Sequence, residues 1–472
     1  MRVAAIHVFE DQASVAEQVE HMRRYFATGS TLSVEARRQA LMRLKATLKR
    51  NEERILAALR EDLGKCSFEG YATELGLVYE EINYCCKHMA SWARPRRVAT
   101  PIAHFPSSSR VHPSPYGVVL VLSPWNYPLQ LALVPLVDAI AAGNCVAIKP
   151  SRTSRATGEL LVELIGEAFP SGHVCAFPGS SGMNDWLLEE TWDLVFFTGS
   201  PEVGRTVMAA AAKKLTPVVL ELGGKSPCIV DEEANVRRAA QRIAWGKGIN
   251  SGQTCVAPDY LLAHESVVDG LVEELKSCFE AYYGEDALSC EWWPHMINKR
   301  HFDRVMGLIE HRGEGSRVAF GGRGDARSLK IEPTCIVGAT LDDAVMGEEI
   351  FGPVLPVIAY RTLDEAFDIV RSFEKPLALY VFSEKREVWE RAIAELSFGG
   401  ATINDTVIHL ANNHMGFGGV GASGMGSYHG KAGFDCFSHM KSTLRKGTWL
   451  EIPVRTPPFT DAKEKILRFL MH

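Results

Sequence analysis

The 472-residue chain is long enough for two or three domains of ordinary size, and 46% apolar with 23% charged residues is a globular composition. A net charge of −6 gives no reason to expect nucleic-acid binding. Eleven scattered cysteines, without a Cys-x-x-Cys pair, imply free thiols in a reducing cytoplasm and no zinc or other metal site. The N-terminal "MRVAAIHVFEDQ" turns acidic after nine residues, too soon for a signal peptide. The most apolar long stretch, "LQLALVPLVDAIAAG", contains Pro135 and Asp138 and is too short for a bilayer. The C-terminal "KEKILRFLMH" holds only a short apolar cluster between basic residues, so no integral membrane segment is expected.

In chain order, residues 12–62 read as helical, with Leu41, Leu44, Leu48, Ile55 and Leu59 near one face. "ELGLVYEEINYCCKHMASWA" predicts another helix, and the Pro/Ser-rich stretch 94–115 an excursion between elements. The period then changes. "GVVLVL", "CVAIK", "HVCAF", "DLVFF" and "PVVLEL" are apolar runs that read as buried strands. Helices such as "LQLALVPLVDAIAAG", "RATGELLVELIGEAF" and 201–213 separate them. Strands alternating with crossover helices over 115–222 predict an α/β fold with a doubly wound parallel sheet. A second α/β pattern runs from 227 to about 400, with helices at 234–248 and 265–283. The tail from 430 mixes β-type and loop residues before a short final helix.

Two glycine patterns mislead. "GVGASG" (419–424) matches a dinucleotide fingerprint, but no helical pattern follows it. "GGKS" (223–226) would need a glycine at 219 to be a P-loop, and Val219 is there. A better anion site is "FFTGSPEVG" (196–204), where Ser200 suits an N-cap and Pro201 a first helical position. The free N–H groups of that helix could face a pyrophosphate, although any strand–helix junction needs such a cap.

"GINSGQTCVAPDY" (248–260) surrounds Cys255 with small hydrogen-bonding residues, where a packing thiol would have apolar neighbours. Taken alone, Cys255 could still be structural, Asn126 a turn residue and Glu221 a solvated carboxylate. Together, "SPWNYP" (123–128), "IKPSR" (148–152), "FTGSPEVG" (197–204), "ELGGKSP" (221–227), "GQTCVAP" (252–258) and "EEIFGP" (348–353) resemble the NAD(P)-dependent aldehyde dehydrogenase superfamily. The ending "FGGVGASGMGSYHGKAGFDCFSH" is similar to its class-3 branch of fatty, aromatic and coniferyl aldehyde dehydrogenases.

The resemblance implies that Cys255 is the nucleophile, since thiolate attacks a carbonyl well. Asn126 would hold the oxyanion together with the Cys255 N–H, and Glu221 would be the base that hydrolyses the thioester. It assigns the cofactor to Trp125, Lys149, Gly199, Ser200, Pro201, Glu202, Val203, Gly204, Leu222, Glu349 and Phe351. Many relatives carry a glutamate where this chain has Arg152. A guanidinium there can pair with a 2′-phosphate, so NADP use is expected beside NAD unless Arg152 turns to solvent. Tyr71 and Tyr127 are candidate aromatic substrate walls, and "INDTVIHLANNHMGF" a loop near the entrance; His409 and His414 within it are expected to be packing or surface residues.

The resemblance further implies three parts. The doubly wound NAD(P)-binding domain spans 1–93 and 116–222, and the second α/β, catalytic domain spans 223–428. A small β bridging hairpin at 94–115 and 429–455 serves oligomerisation, here a homodimer, and 456–472 is a tail without the hydrophobic anchor of some relatives. The expected reaction oxidises a medium- or long-chain aliphatic or aromatic aldehyde to the acid. The alternatives are an acylating enzyme, which would not need Glu221, and a non-catalytic protein retaining the fold.

Overall fold

Three helices, not one long segment, fill residues 12–62: Gln12–Ala27, Val34–Arg50 and Glu52–Leu63. The computed structural model describes residue 9 and residues 11–471, so most of the stretch read against a signal peptide lies outside the described residues. Asp11 and Ser33 cap the first two helices through backbone N–H groups of Ser14 and Ala36, and Gly64 at φ 71° ends the third. The predicted stripe is split between helices, yet Leu41, Leu44, Leu48, Ile55 and Leu59 are all fully buried in one core. The next helix, Gly76–Trp92, is preceded by a π-turn at Tyr71–Leu75.

Beyond residue 116 the predicted alternation is present. A six-stranded sheet has the order Gly424–Met425, Val218–Glu221, Leu194–Thr198, Val118–Leu122, Cys145–Lys149, Val174–Ala176, parallel except at the first edge. Val118–Leu122 begins the chain's path outward in one direction, and Leu194–Thr198 resumes it in the other. The crevice at their carboxyl ends is therefore the topological switch point where such sheets bind ligands. Helix Gln130–Ala142 is buried along its whole length, and Gly143 at φ 102° stops it. The second sheet has seven strands: Arg317–Phe320, Thr334–Val337, Val354–Tyr360, Tyr260–His264, Pro227–Val230, Ala378–Phe382 and Gly400–Ile403. All but the first are parallel.

The stretch 94–115 is more ordered than its Pro/Ser content suggests. Arg96–Val98 and Ser107–Pro115 pair with Ser438–Lys446 in an antiparallel three-stranded sheet. A single-sequence reading underrates such a strand because its apolar residues do not alternate cleanly. The tail also contains a helix, Gly430–Cys436, where loop was expected. It is docked by buried carboxylates: Glu81 accepts the Gly430 N–H at 2.8 Å, and Asp138 accepts the His429 N–H at 3.2 Å. A helix thus does follow "GVGASG", but the intervening strand is antiparallel, so there is no βαβ unit. The glycines serve close backbone approach instead: a Cβ at Gly424 would lie 2.2 Å from the Leu220 carbonyl oxygen. Among the described residues no helix is long and apolar enough to cross a membrane.

Candidate active site

Helix Val236–Gly248 runs into a turn in which Asn250, Ser251 and Gly252 are all left-handed, at φ 50°, 52° and 72°. Such a run costs roughly 1–2 kcal/mol for each non-glycine residue, so the surroundings must hold it. Glu69 accepts the Asn250 N–H at 2.7 Å. The Gln253 carboxamide donates to the carbonyls of Asn250 and His295 and accepts from the Ile297 N–H, each at 3.0 Å. The small polar residues before Cys255 are therefore buried scaffolding that presents a partly exposed thiol.

At Gly252 the loop meets "EEIFGP": a Cβ would lie 2.3 Å from the Gly352 carbonyl oxygen. Gly252→Ala combines this backbone clash with positive φ. Its expected cost is about 2–4 kcal/mol, read as a lowered thermal midpoint and lost activity. The opposing loop is fixed as well. Lys225 bonds to Asp259 at 2.5 Å and to the carbonyls of Val345 and Glu348 at 3.0 and 2.9 Å, while Asp259 accepts the Ile350 N–H at 2.9 Å. Phe351 then takes φ 48°.

Cys255 lies where two cavities meet. The first is a cleft lined by Trp125, Asn126, Gly199, Ser200, Glu221, Leu222, Glu349 and Phe351. The Trp125 ring packs 5.4 Å from Phe351 and 4.9 Å from His301. Ser200 caps helix Pro201–Ala212 through the Val203 N–H, with Pro201 in the first turn. Glu202 and Val203 are exposed, and Gly204 packs so that a Cβ would meet Leu222 at 2.7 Å. Lys149 is buried at the end of its strand and Arg152 is exposed after it. Burial, and secondarily the Arg152 guanidinium, lowers the Lys149 ammonium to about 8.

The second cavity is an apolar tunnel walled by Leu77, Tyr127, Leu131, Trp245, Ile249, Val407, Ile408, Leu410, Phe417 and Tyr428. Residues 407–417 supply one side of it, where the entrance loop was expected. His409 instead bonds to Thr402, and His414 to Tyr84. Tyr71 needs correction as a wall. It lies in a surface groove with Lys45, Lys49 and Tyr79, away from the thiol, and Ala72 and Thr73 face the tunnel in its place. The π-turn at Tyr71–Leu75 shifts the helix face, which a 3.6-residue period does not anticipate. Trp245, Leu131 and Tyr428 were missed because an apolar residue's periodicity marks a buried face without saying whether that face lines a core or a tunnel. His301 and Arg304, also at the cleft, carry no motif signal.

Electrostatically the cleft holds two buried acids, Glu221 and Glu349. Both Glu221 oxygens are buried with no hydrogen-bond partner among the described residues, and burial pushes its carboxyl well above the usual range. Glu349 is raised to about 8, mainly by burial and then by Asp259, against the opposing Gly224 N–H and Lys225. Burial first, then Glu349 and Glu221, pushes the Cys255 thiol up, while the backbone N–H groups of Cys255 and Val256 oppose this. The Asn126 side chain is buried, and its Nδ2 donates to the Gln253 carbonyl at 3.1 Å. Its second N–H remains for another acceptor.

Comparison with known proteins agrees with this geometry. Residues 3–443 match the aldehyde dehydrogenase family. The chain is 44% identical over 434 residues to the rat protein named aldehyde dehydrogenase, dimeric NADP-preferring, covering 92% of this chain and 95% of that one. It is 40% identical over 470 residues to aldehyde dehydrogenase family 3 member H1 of Arabidopsis thaliana, covering 99% and 97%. The solved structure of substrate-bound AldH from Staphylococcus aureus superimposes with a TM-score of 0.94 at 42% identity, over 97% of this chain and 99% of that one. This chain belongs to the aldehyde dehydrogenase family, on its class-3-like branch, and is an NAD(P)-dependent, non-acylating enzyme that oxidises aldehydes to acids.

Proposed function

We propose that Cys255, Asn126 and Glu221 carry this reaction on medium- or long-chain aliphatic or aromatic aldehydes, with NADP accepted at least as readily as NAD. The observation that carries the reading is the position of Cys255 between an apolar tunnel and the switch-point cleft. The tunnel suits an apolar aldehyde tail and delivers its carbonyl to the sulfur. The Cys255 thiol gives its proton to water, and attack by the resulting thiolate forms the C–S bond as the carbonyl π pair moves to oxygen, making an oxyanion held by the Asn126 Nδ2–H and the Cys255 N–H. Bound NAD(P)+ supplies the hydride acceptor. Collapse of the adduct leaves a thioester on Cys255. Glu221 takes a proton from water as its oxygen attacks the thioester carbon; the C–S bond breaks and the acid leaves.

The cleft residues fit such a cofactor. Helix Pro201–Ala212 points its N-terminal, positive dipole end at the cleft beside Gly199 and Ser200, and Glu349 sits against Gly223, where a Cβ would lie 2.0 Å from its Oε2. Lys149 and Arg152 are neighbouring cations, and among the described residues no carboxylate forms an ion pair with either. That pairing favours a 2′-phosphate, as does the rat relative's name. Arg152→Glu is expected to lower kcat/KM for NADP by roughly 10–100-fold, the worth of one charge-assisted pair and its replacement by repulsion, while NAD is spared. In the unaltered enzyme, NADP performing a hundredfold worse than NAD would overturn the preference. A panel of aliphatic and aromatic aldehydes, each run with both cofactors and scored for free acid without coenzyme A, tests the whole reading.

A homodimer is part of this reading. Ser438–Lys446 is a nearly fully exposed edge strand of the small sheet, a template for pairing with a second copy. A cytoplasmic location is supported by all eleven cysteines being free.

A further inference from the structure

We infer that a buried ion pair, Lys65–Glu74, together with Asn250, positions the oxyanion-hole asparagine by clamping its main chain. The inference rests on the oxyanion role proposed for Asn126. Lys65 and Glu74 are both fully buried, with Nζ and Oε1 2.6 Å apart. Removing two charges from water is costly, and well-packed apolar residues could fill such a site at no loss of stability. What the pair touches explains its presence. The Lys65 ammonium donates to the Asn126 carbonyl oxygen at 3.1 Å, and the Asn250 carboxamide donates to that same oxygen at 2.8 Å. The other Glu74 oxygen accepts the N–H groups of Leu129 at 2.9 Å and Gln130 at 3.2 Å. One ion pair thus staples both ends of the 126–130 segment.

Two further contacts tie this clamp to the nucleophile loop. Asn250 also donates to the Gln253 carbonyl at 3.0 Å, the oxygen to which Asn126 Nδ2 itself donates. Lys65 Nζ lies 3.8 Å from the centre of the Tyr127 ring, whose hydroxyl meets Thr254 Oγ1 at 2.6 Å. The carboxamide of Asn126 is therefore referenced to the loop that carries Cys255. A donor fixed before the reaction loses no stabilisation to reorganisation when charge develops. Lys65 and Glu74 touch neither cavity, and each is a positioning residue.

The test is a double-mutant cycle on the rate of the first turnover. Asn126→Ala alone should lower that rate by roughly 10²–10³-fold; an unchanged rate would refute the oxyanion role itself. Lys65→Met should lower it by about 10–100-fold with KM for NADP unaltered, yet by less than about threefold in the Asn126→Ala background. An equal loss in both backgrounds overturns the clamp, as does no loss in the unaltered background. If Lys65→Met does not fold, Asn250→Gly enters the same cycle: glycine keeps the left-handed backbone and removes the side chain that donates to the Asn126 carbonyl. The same two criteria apply to it.

Discussion

Cys255→Ala is expected to reduce aldehyde oxidation by at least ~10⁴-fold, the scale seen when a covalent nucleophile is removed, while leaving NADP binding intact. The separation is physical. Cys255 lines the cleft, but the fold does not depend on its sulfur, and alanine keeps the backbone N–H and the left-handed turn before it. Cofactor binding by fluorescence titration should match the unaltered enzyme, and no acyl adduct should form on incubation with aldehyde. Turnover within tenfold of the unaltered enzyme would end the covalent mechanism. Serine at this position is no substitute. Its hydroxyl would face the same two carboxyls and the same burial that already push the thiol upward, from a much higher starting point.

The local shape of the candidate site was legible because its members sit in short motifs whose conformation the backbone dictates. "GSPEVG" reads as cap, first-turn proline and helix, and Ser200 and Pro201 take those places. "GQTC" suggested a thiol approached by backbone groups, and Gly252 needs its missing Cβ for contact with Gly352. What stayed hidden depends on contacts between distant segments. Lys65 and Glu74 are nine residues apart and look like surface charges, yet both are fully buried because the π-turn at Tyr71–Leu75 and helix Gln130–Ala142 close over them. Tyr71 failed as a tunnel wall through the same turn. The strand at Ser107–Pro115 was legible only through the family resemblance, which implied a β hairpin at 94–115 and 429–455; residue pattern alone hid it, because its partner, Ser438–Lys446, lies more than 300 residues away and an edge sheet with little core needs no apolar alternation.

Glu221→Gln should separate the two halves of the reaction. Glutamine keeps the volume and removes the base, so thioester hydrolysis is expected to slow by roughly 10²–10⁴-fold. Hydride transfer precedes that step, so rapid mixing should still show a burst of one reduced cofactor per site, followed by a slow steady rate. Mass spectrometry should find the acyl group on Cys255. The pH dependence fixes the sign. Glu221 accepts a proton only when ionised, and burial raises its carboxyl well above the ordinary range. The ionised fraction therefore grows as pH rises, and the steady rate of the unaltered enzyme should climb with pH above the range in which an ordinary carboxylate has already ionised. The burst rate should climb as well, because Cys255 must lose a proton and is likewise pushed up. In Glu221→Gln the climb of the burst should persist, while the steady rate loses the limb that belonged to the carboxyl. Hydrolysis as fast as in the unaltered enzyme would move the base to Glu349, the other raised carboxyl facing the thiol, and a slow variant with no burst would place Glu221 before hydride transfer instead.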